Sequence, residues 1–167
     1  LLAATVAACA PQPATVLDLS EQLRFAEFLP ESGGLDIGTP EARPALADGW
    51  HVLDERWLAG PRNFVWGLGE RSRLTFWAFR DGGRTLRMVG RPYVSGDRRT
   101  VAVNLVINDE VFERVELSEG WQEYSFKIPA DMVRRGENTL DLYYERELGS
   151  IEPFLDLSVA WDRINVG

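Results

Sequence analysis

The sequence contains one histidine, His51, and one cysteine, Cys9. Nucleophile–base catalysis of the Ser-His or Cys-His kind would have to pass through one of them. No serine is framed by a G-x-S-x-G turn, and Cys9 ends an uncharged run of small and apolar residues. His51 therefore reads as a packed or strand-edge side chain. Gly67-Leu68-Gly69 lacks the third glycine of a dinucleotide loop and reads as a turn. The HExxH, P-loop and EF-hand patterns are missing. A single cysteine excludes a disulfide within the chain, and one Cys with one His excludes a zinc cage made by this chain alone.

Acids are plentiful, with 26 Asp plus Glu against 18 Lys plus Arg and a net charge of −8. A glycosidase needs two carboxylates held roughly 5–10 Å apart. Asp54/Glu55, Asp109/Glu110 and Glu113/Glu116 are available, but in a chain this acidic such pairs arise freely. Nothing marks one acid as buried, so the chain is expected to have no catalysis of its own. The acidic balance also argues against nucleic acid as a partner, because it repels a phosphate backbone. All but one of the basic residues are Arg, which reads as coding bias from a GC-rich genome.

Binding is the sharper expectation. Sugars stack their C–H faces on exposed aromatics while polar neighbours take the hydroxyls. Trp57, in the loop 56–61, and Tyr93, in Arg91-Pro92-Tyr93, lie outside clear strands, and each has an arginine near it, Arg56 and Arg91. These four are the candidate carbohydrate-binding residues. Trp66, Trp77, Trp121 and Trp161 fall at strand positions and are expected in the core.

The elements that must position these residues are strands. Hydrophobic residues make up 45% of the 167 positions and charged residues 26%, the balance of a soluble domain of ordinary size. Residues 31–49 are rich in Gly, Pro and acids and read as loop; a short helix is expected over 21–28. Period-two alternation then predicts strands over 50–54, 63–66, 73–79 and 85–89. The 73–79 run is apolar on both faces, which predicts a central strand covered on both sides. The clearest stretch is 100–145. Val101, Val103, Leu105 and Ile107 share a face, Asn108-Asp109 suits a two-residue hairpin turn, and 111–117 returns. Tyr124, Phe126 and Ile128 alternate, Pro129 stops that strand, one helical turn fits 131–134, and 139–145 follows. The last strand is expected over 154–161, with Ile164 and Val166 extending it. About eight strands with turns every eight to twelve residues predict an all-β sandwich.

The segment Val6-Ala7-Ala8-Cys9 resembles the bacterial lipoprotein signal, in which the Cys is lipidated and becomes the mature N-terminus. That resemblance implies lipidation at Cys9 and an extracytoplasmic location, tethered to the outer membrane or cell surface, with the membrane touched only through the lipid. Residues 1–14 are then a truncated signal and tether, and 15–167 the sandwich domain. Cys9-Ala10-Pro11-Gln12-Pro13 also looks like the start of the C-x-P-x-R signature of sulfatases, but Pro13 stands where Arg is required.

Within the body, Val103-Asn104-Leu105-Val106-Ile107-Asn108, Gly120-Trp121, Ile128-Pro129 and Gly136-Glu137-Asn138-Thr139-Leu140 resemble the galactose-binding-like jelly-roll domains. Residues 36–44, Gly49-Trp50, Asp54-Glu55 and Val159-Ala160-Trp161-Asp162 look like the β-sandwich that precedes the catalytic domain in some secreted bacterial sulfatase-type hydrolases. The resemblance covers 16–167. It implies a jelly-roll-like fold and, as partner, a hydrolase domain or a glycan. It transfers no catalytic residue. It also implies that a structural Ca2+ can be held, with loop acids such as Asp36, Glu41 and Asp97 supplying oxygens. Two other expectations stand beside the accessory module: the leading fragment of a sulfatase-like hydrolase whose catalytic domain lies beyond residue 167, and a structural surface lipoprotein without a small ligand.

Overall fold

The computed structural model describes residues 36–51, 63–80, 82–94, 99–145 and 157–167. Cys9, the 21–28 segment, Arg56, Trp57 and Asp97 lie outside them. A 3-10 helix at Pro40–Ala45 precedes nine strands: β1 (Trp50–His51), β2 (Val65–Leu68), β3 (Arg71–Ala78), β4 (Arg84–Pro92), β5 (Thr100–Ile107), β6 (Glu110–Ser118), β7 (Gln122–Ile128), β8 (Gly136–Glu145) and β9 (Leu157–Val166). They form a five-stranded sheet in the order β1-β2-β9-β4-β7 and a four-stranded sheet in the order β3-β8-β5-β6. Every pairing is antiparallel. From β2 onward each connection crosses between the sheets except the β5–β6 hairpin. The protein is therefore an all-β, jelly-roll-like sandwich.

Alternation places the core. Val101, Val103, Leu105 and Ile107 of β5 and Leu140 and Leu142 of β8 face Leu86 and Met88 of β4 and Val159, Trp161 and Ile164 of β9, all buried in one cluster. The β5–β6 turn has Asn108 at φ 49° and Asp109 at φ 71°, the positive-φ pair that a tight hairpin of matching twist requires. Asn138, fully buried, fixes the entry to β8. Its amide donates to the carbonyls of Arg134 (2.8 Å) and Gly136 (2.9 Å), and its Oδ1 accepts from Arg134 N and Asn108 Nδ2.

One polar chain crosses the core. Trp161 Nε1 donates to the Tyr144 hydroxyl (3.2 Å), which donates to Ser72 Oγ (2.8 Å), which donates to the Gly49 carbonyl (2.6 Å). It joins β9 of one sheet to β8 and β3 of the other with every member satisfied. Burial pushes the Tyr144 phenol well above its ordinary range, against the opposing pull of its hydrogen bonds to Ser72 and Trp161. A Cβ at Gly67 would collide with the Tyr144 hydroxyl, so glycine there leaves room for the chain.

Several local expectations are corrected. β3 is an edge strand, not a central one. Its apolar second face is explained by partial cover: Leu46 bridges Leu74 along the free edge, Trp77 is half-buried, and Phe79, past the strand end, is 64% exposed. The loop over 31–49 contains the 3-10 helix, which Pro40 opens at its first turn. The expected helical turn at 131–134 is a hydrogen-bonded turn, Met132 N donating to the Pro129 carbonyl. Among the described residues no helix is long and apolar enough to cross a membrane.

Candidate functional site

The outward face of the five-stranded sheet carries an aromatic cluster. Phe64 precedes β2 and Trp66 lies within it. Alternation puts them on one side, their rings 5.8 Å apart and edge-to-face. The register continues the row laterally, Trp66 opposite Ala160 of β9 and Ala160 opposite Arg91 of β4. Ala160, fully buried, is small enough for the larger neighbours to close over it. Trp121 stands at the start of β7, set there by Gly120 at φ 92° in the preceding bend. The Arg91 guanidinium lies over the Trp121 ring at 5.4 Å, and Phe64 meets that ring at 5.6 Å. Tyr93 closes the other end, edge-on to Trp66 at 6.0 Å. The Arg91 contact is a cation–π pair of about 0.5–1 kcal/mol that holds the indole in one orientation.

Beside this cluster opens a groove of about 630 Å3, lined by Asp36, Asn63, Val89, Trp121, Gln122, Glu123, Asp162 and Arg163. Two local features build it. A Cβ at Gly38 would overlap the Asn63 backbone, so only glycine lets the Asp36 turn lie against Asn63. That turn is held by Thr39 N and Thr39 Oγ1 donating to the Asp36 carbonyl at 3.1 and 2.9 Å. The second is a β-bulge. Val89 pairs with Arg163 and Gly90 with Trp161, so Asp162 is an extra residue on β9. Trp161 and Ile164 both reach the core while Asp162 and Arg163, adjacent in sequence, both line the groove. Gly90 admits the Trp161 ring, which a Cβ would meet at 2.5 Å.

Among the described residues the groove combines an aromatic surface, two primary amides, three carboxylates and a guanidinium. That set suits hydrogen bonding to a polyhydroxylated ligand over an apolar ring face. His51 is half-buried in β1, and among the described residues its buried Nδ1 has no hydrogen-bond partner to orient it as a base. Asp109, in the hairpin turn, pairs with Arg73 at 3.5 Å. Among the described residues no group of three or more His, Cys, Asp or Glu is placed to hold a metal ion. Of the acids named for calcium, Asp36 lines the groove and Glu41 lies in the 3-10 helix.

Of the four candidate binding residues, Tyr93 and Arg91 fall together in this cluster, while Trp57 and Arg56 lie outside the described residues. Tyr93 is 37% exposed. Trp161 is in the core as expected, but Trp121 is half-buried against the groove, and Trp66 is buried on the outward face of the sheet. The signal for Trp121 was present in Gly120-Trp121, since a residue on a turn before a strand is free of the strand's alternation. The signal for Asp162 and Arg163 was absent, because a bulge leaves no mark in residue type.

No family model matches the chain, and no curated protein matches it. Solved structures with a similar trace include a family 35 carbohydrate-binding module from an environmental isolate (18% identity, 65% of this chain and 74% of that one, TM-score 0.47). Another is the CBM36-1 domain of a multidomain xylanase from the hindgut metagenome of Trinervitermes trinervoides (17%, 65% and 81%, TM-score 0.48). A third is the CBM36 module in complex with calcium and xylotriose (14%, 65% and 84%, TM-score 0.44). These neighbours are carbohydrate-binding modules; the sandwich itself stands on the strand pairing of this chain.

Proposed function

We propose that this domain is a non-catalytic glycan-binding module that accompanies a hydrolase. The observation that carries the reading is the open groove in which the half-buried Trp121, oriented by Arg91, stands among Asn63, Gln122, Glu123, Asp162 and Arg163. A sugar ring lies against the indole, and the amides and charged groups take its hydroxyls. Tyr93 buttresses the cluster through Trp66. The hydrolase partner is what the sequence resemblance implies, in the same chain or beside it. The same reading makes the protein extracytoplasmic, anchored by a lipid on Cys9.

A glycan array followed by calorimetry tests the binding. Trp121→Ala should abolish retention of any glycan that the parent binds, and Tyr93→Ala should weaken it by a smaller factor. An array without hits, or a Trp121→Ala protein that binds like the parent, would sink the proposal. For the anchor, Cys9→Ala in the native cell should release the protein from the membrane fraction; continued partitioning would remove the lipid assignment.

A further inference from the structure

We infer that the outer edge of β6 is a strand-addition site held shut by two side-chain caps, and that the strand it fits once the caps are removed is β6 of a second copy. Among the described residues β6 pairs only with β5, so its far side is a sheet edge. Glu119 N donates to the Arg99 carbonyl at 3.0 Å, which fixes the phase of the ladder. Glu113, Val115, Leu117 and Glu119 turn their backbone groups toward β5, while Arg114, Glu116 and Ser118 turn theirs outward. Two of those outward amides already hold side-chain acceptors. Arg114 N donates to Glu113 Oε1 at 3.1 Å, and Ser118 N donates to the Tyr124 hydroxyl at 3.2 Å. Tyr124 belongs to β7, so this second cap reaches across from the other sheet. Toward the hairpin, Leu105 pairs with Glu113 and Val106 with Val111, which makes Phe112 an extra residue on β6. That bulge ends the regular edge, and bulges and charges are devices that keep an exposed edge from pairing.

The side chains along the edge choose the second strand. Glu113, Arg114, Glu116 and Ser118 are all exposed. Antiparallel pairing of β6 with itself about a two-fold axis at Val115 sets Arg114 opposite Glu116 of the second copy, and Glu116 opposite its Arg114. Both are positions whose backbone groups face the edge, so each pair exchanges two hydrogen bonds. Moving the axis to Arg114 or to Glu116 sets like charges directly opposite each other, which is destabilising. The regular edge between the bulge and Glu119 is short, so the pairing is weak and the caps compete with it successfully. With both caps in place, Glu116 supplies the one outward amide of the three that no side chain covers. This inference stands apart from whatever the groove on the other sheet binds.

The test compares the parent with a Glu113→Ala/Tyr124→Phe double variant by sedimentation velocity over a concentration series. As concentration rises, the double variant should gain a species of about twice the mass that the parent lacks. Hydrogen exchange at the Arg114 and Glu116 amides should be slower in that species than in the same variant diluted. Glu113→Gln alone keeps an oxygen that accepts from Arg114 N and should sediment like the parent. Adding Glu116→Pro to the double variant removes the central edge N–H, a change an edge strand tolerates, and should abolish the doubled species. Circular dichroism and cooperative urea unfolding establish that each variant is folded. A folded double variant that sediments like the parent at every concentration would overturn the inference. So would a doubled species that survives Glu116→Pro or leaves exchange at Arg114 and Glu116 unchanged, and so would a parent that already forms it. If the double variant does not fold, Tyr124→Phe alone decides: a smaller shift toward the doubled species supports the inference, and an unchanged profile overturns it.

Discussion

The two outward faces of the sandwich use polar residues in opposite ways. On the four-stranded sheet the charges pair with each other. Arg73 makes a two-pronged contact with Asp141 (Nε to Oδ1 2.7 Å, Nη2 to Oδ2 2.8 Å), and Arg71 approaches the same carboxylate at 3.8 Å. Arg114 does likewise with Glu145 (2.8 and 2.6 Å), where Asn104 adds a third bond at 3.0 Å. On the five-stranded sheet, aromatic rings occupy the corresponding middle of the face, and charged side chains collect at the rim of an open groove. One face is closed by ion pairs between its own strands; the other carries rings beside a concave opening.

That contrast predicts a separation of effects, stability on one side and binding on the other. The largest change in stability should come from Asp141→Ala. The carboxylate is fully buried and the substitution strands Arg73, whose side chain is 28% exposed, so about 2–3 kcal/mol should be lost, the lower end for a broken buried pair. Urea unfolding measures it; glycan affinity should be unchanged. Tyr144→Phe interrupts the chain between the sheets and should cost about 1–2 kcal/mol by leaving buried partners unsatisfied, again without altering binding.

Trp121→Ala should show the reverse. It removes a half-buried ring together with its Phe64 contact and the Arg91 cation–π pair, so about 1–2 kcal/mol should be lost, while ligand binding disappears. A Trp121→Ala protein that is badly destabilised, or an Asp141→Ala protein that no longer binds, would break the division between the faces.

The smallest effect is a matter of pH. Hydrogen bonds from Arg114 and then Asn104 lower the Glu145 carboxyl to about 2. A carboxyl depressed in the folded state contributes stability that is present above its unfolded value and is lost as pH falls toward the folded one. The contribution of Glu145 therefore drains between its ordinary carboxylate range and about pH 2. Both partners are exposed, so the effect on unfolding is slight and salt-sensitive. A carboxyl titration by NMR shows it directly: Arg114→Gln should return Glu145 toward the ordinary range.

Much of the sandwich was legible in the sequence because strands with one buried face leave a period-two trace. The 100–145 stretch yields β5 to β7 within a residue or two and β8 from three residues earlier than expected, and Asn108-Asp109 adopts the positive φ that its residue types permit. Edge position was not legible. β3 reads as central because Leu74 and Phe76 on one side and Trp77 on the other are all apolar, yet its outer edge is met by the Leu46 segment and not by a strand. The site was half legible. Tyr93 and Arg91 were marked by an aromatic and a cation outside clear alternation. Phe64 and Trp66 shared a predicted face, but which side of the sheet that face takes depends on the pairing of β2 with β9, a contact between residues nearly a hundred positions apart. Asp36 and Asn63 meet only through the close approach at Gly38, which no spacing rule encodes.

The extra residue in β9 also bears on how such domains can diverge. With Trp161 and Ile164 both pointing inward, removing Asp162 would leave inward, outward, inward, the phase of an ordinary strand. The interior would keep its contacts while the rim lost a carboxylate and Arg163 shifted along the sheet. A gain or loss of one codon at that point would thus change the chemistry of the rim with little disturbance to folding, and two chains of this architecture aligned without a gap there would look alike in their interiors and differ at the groove.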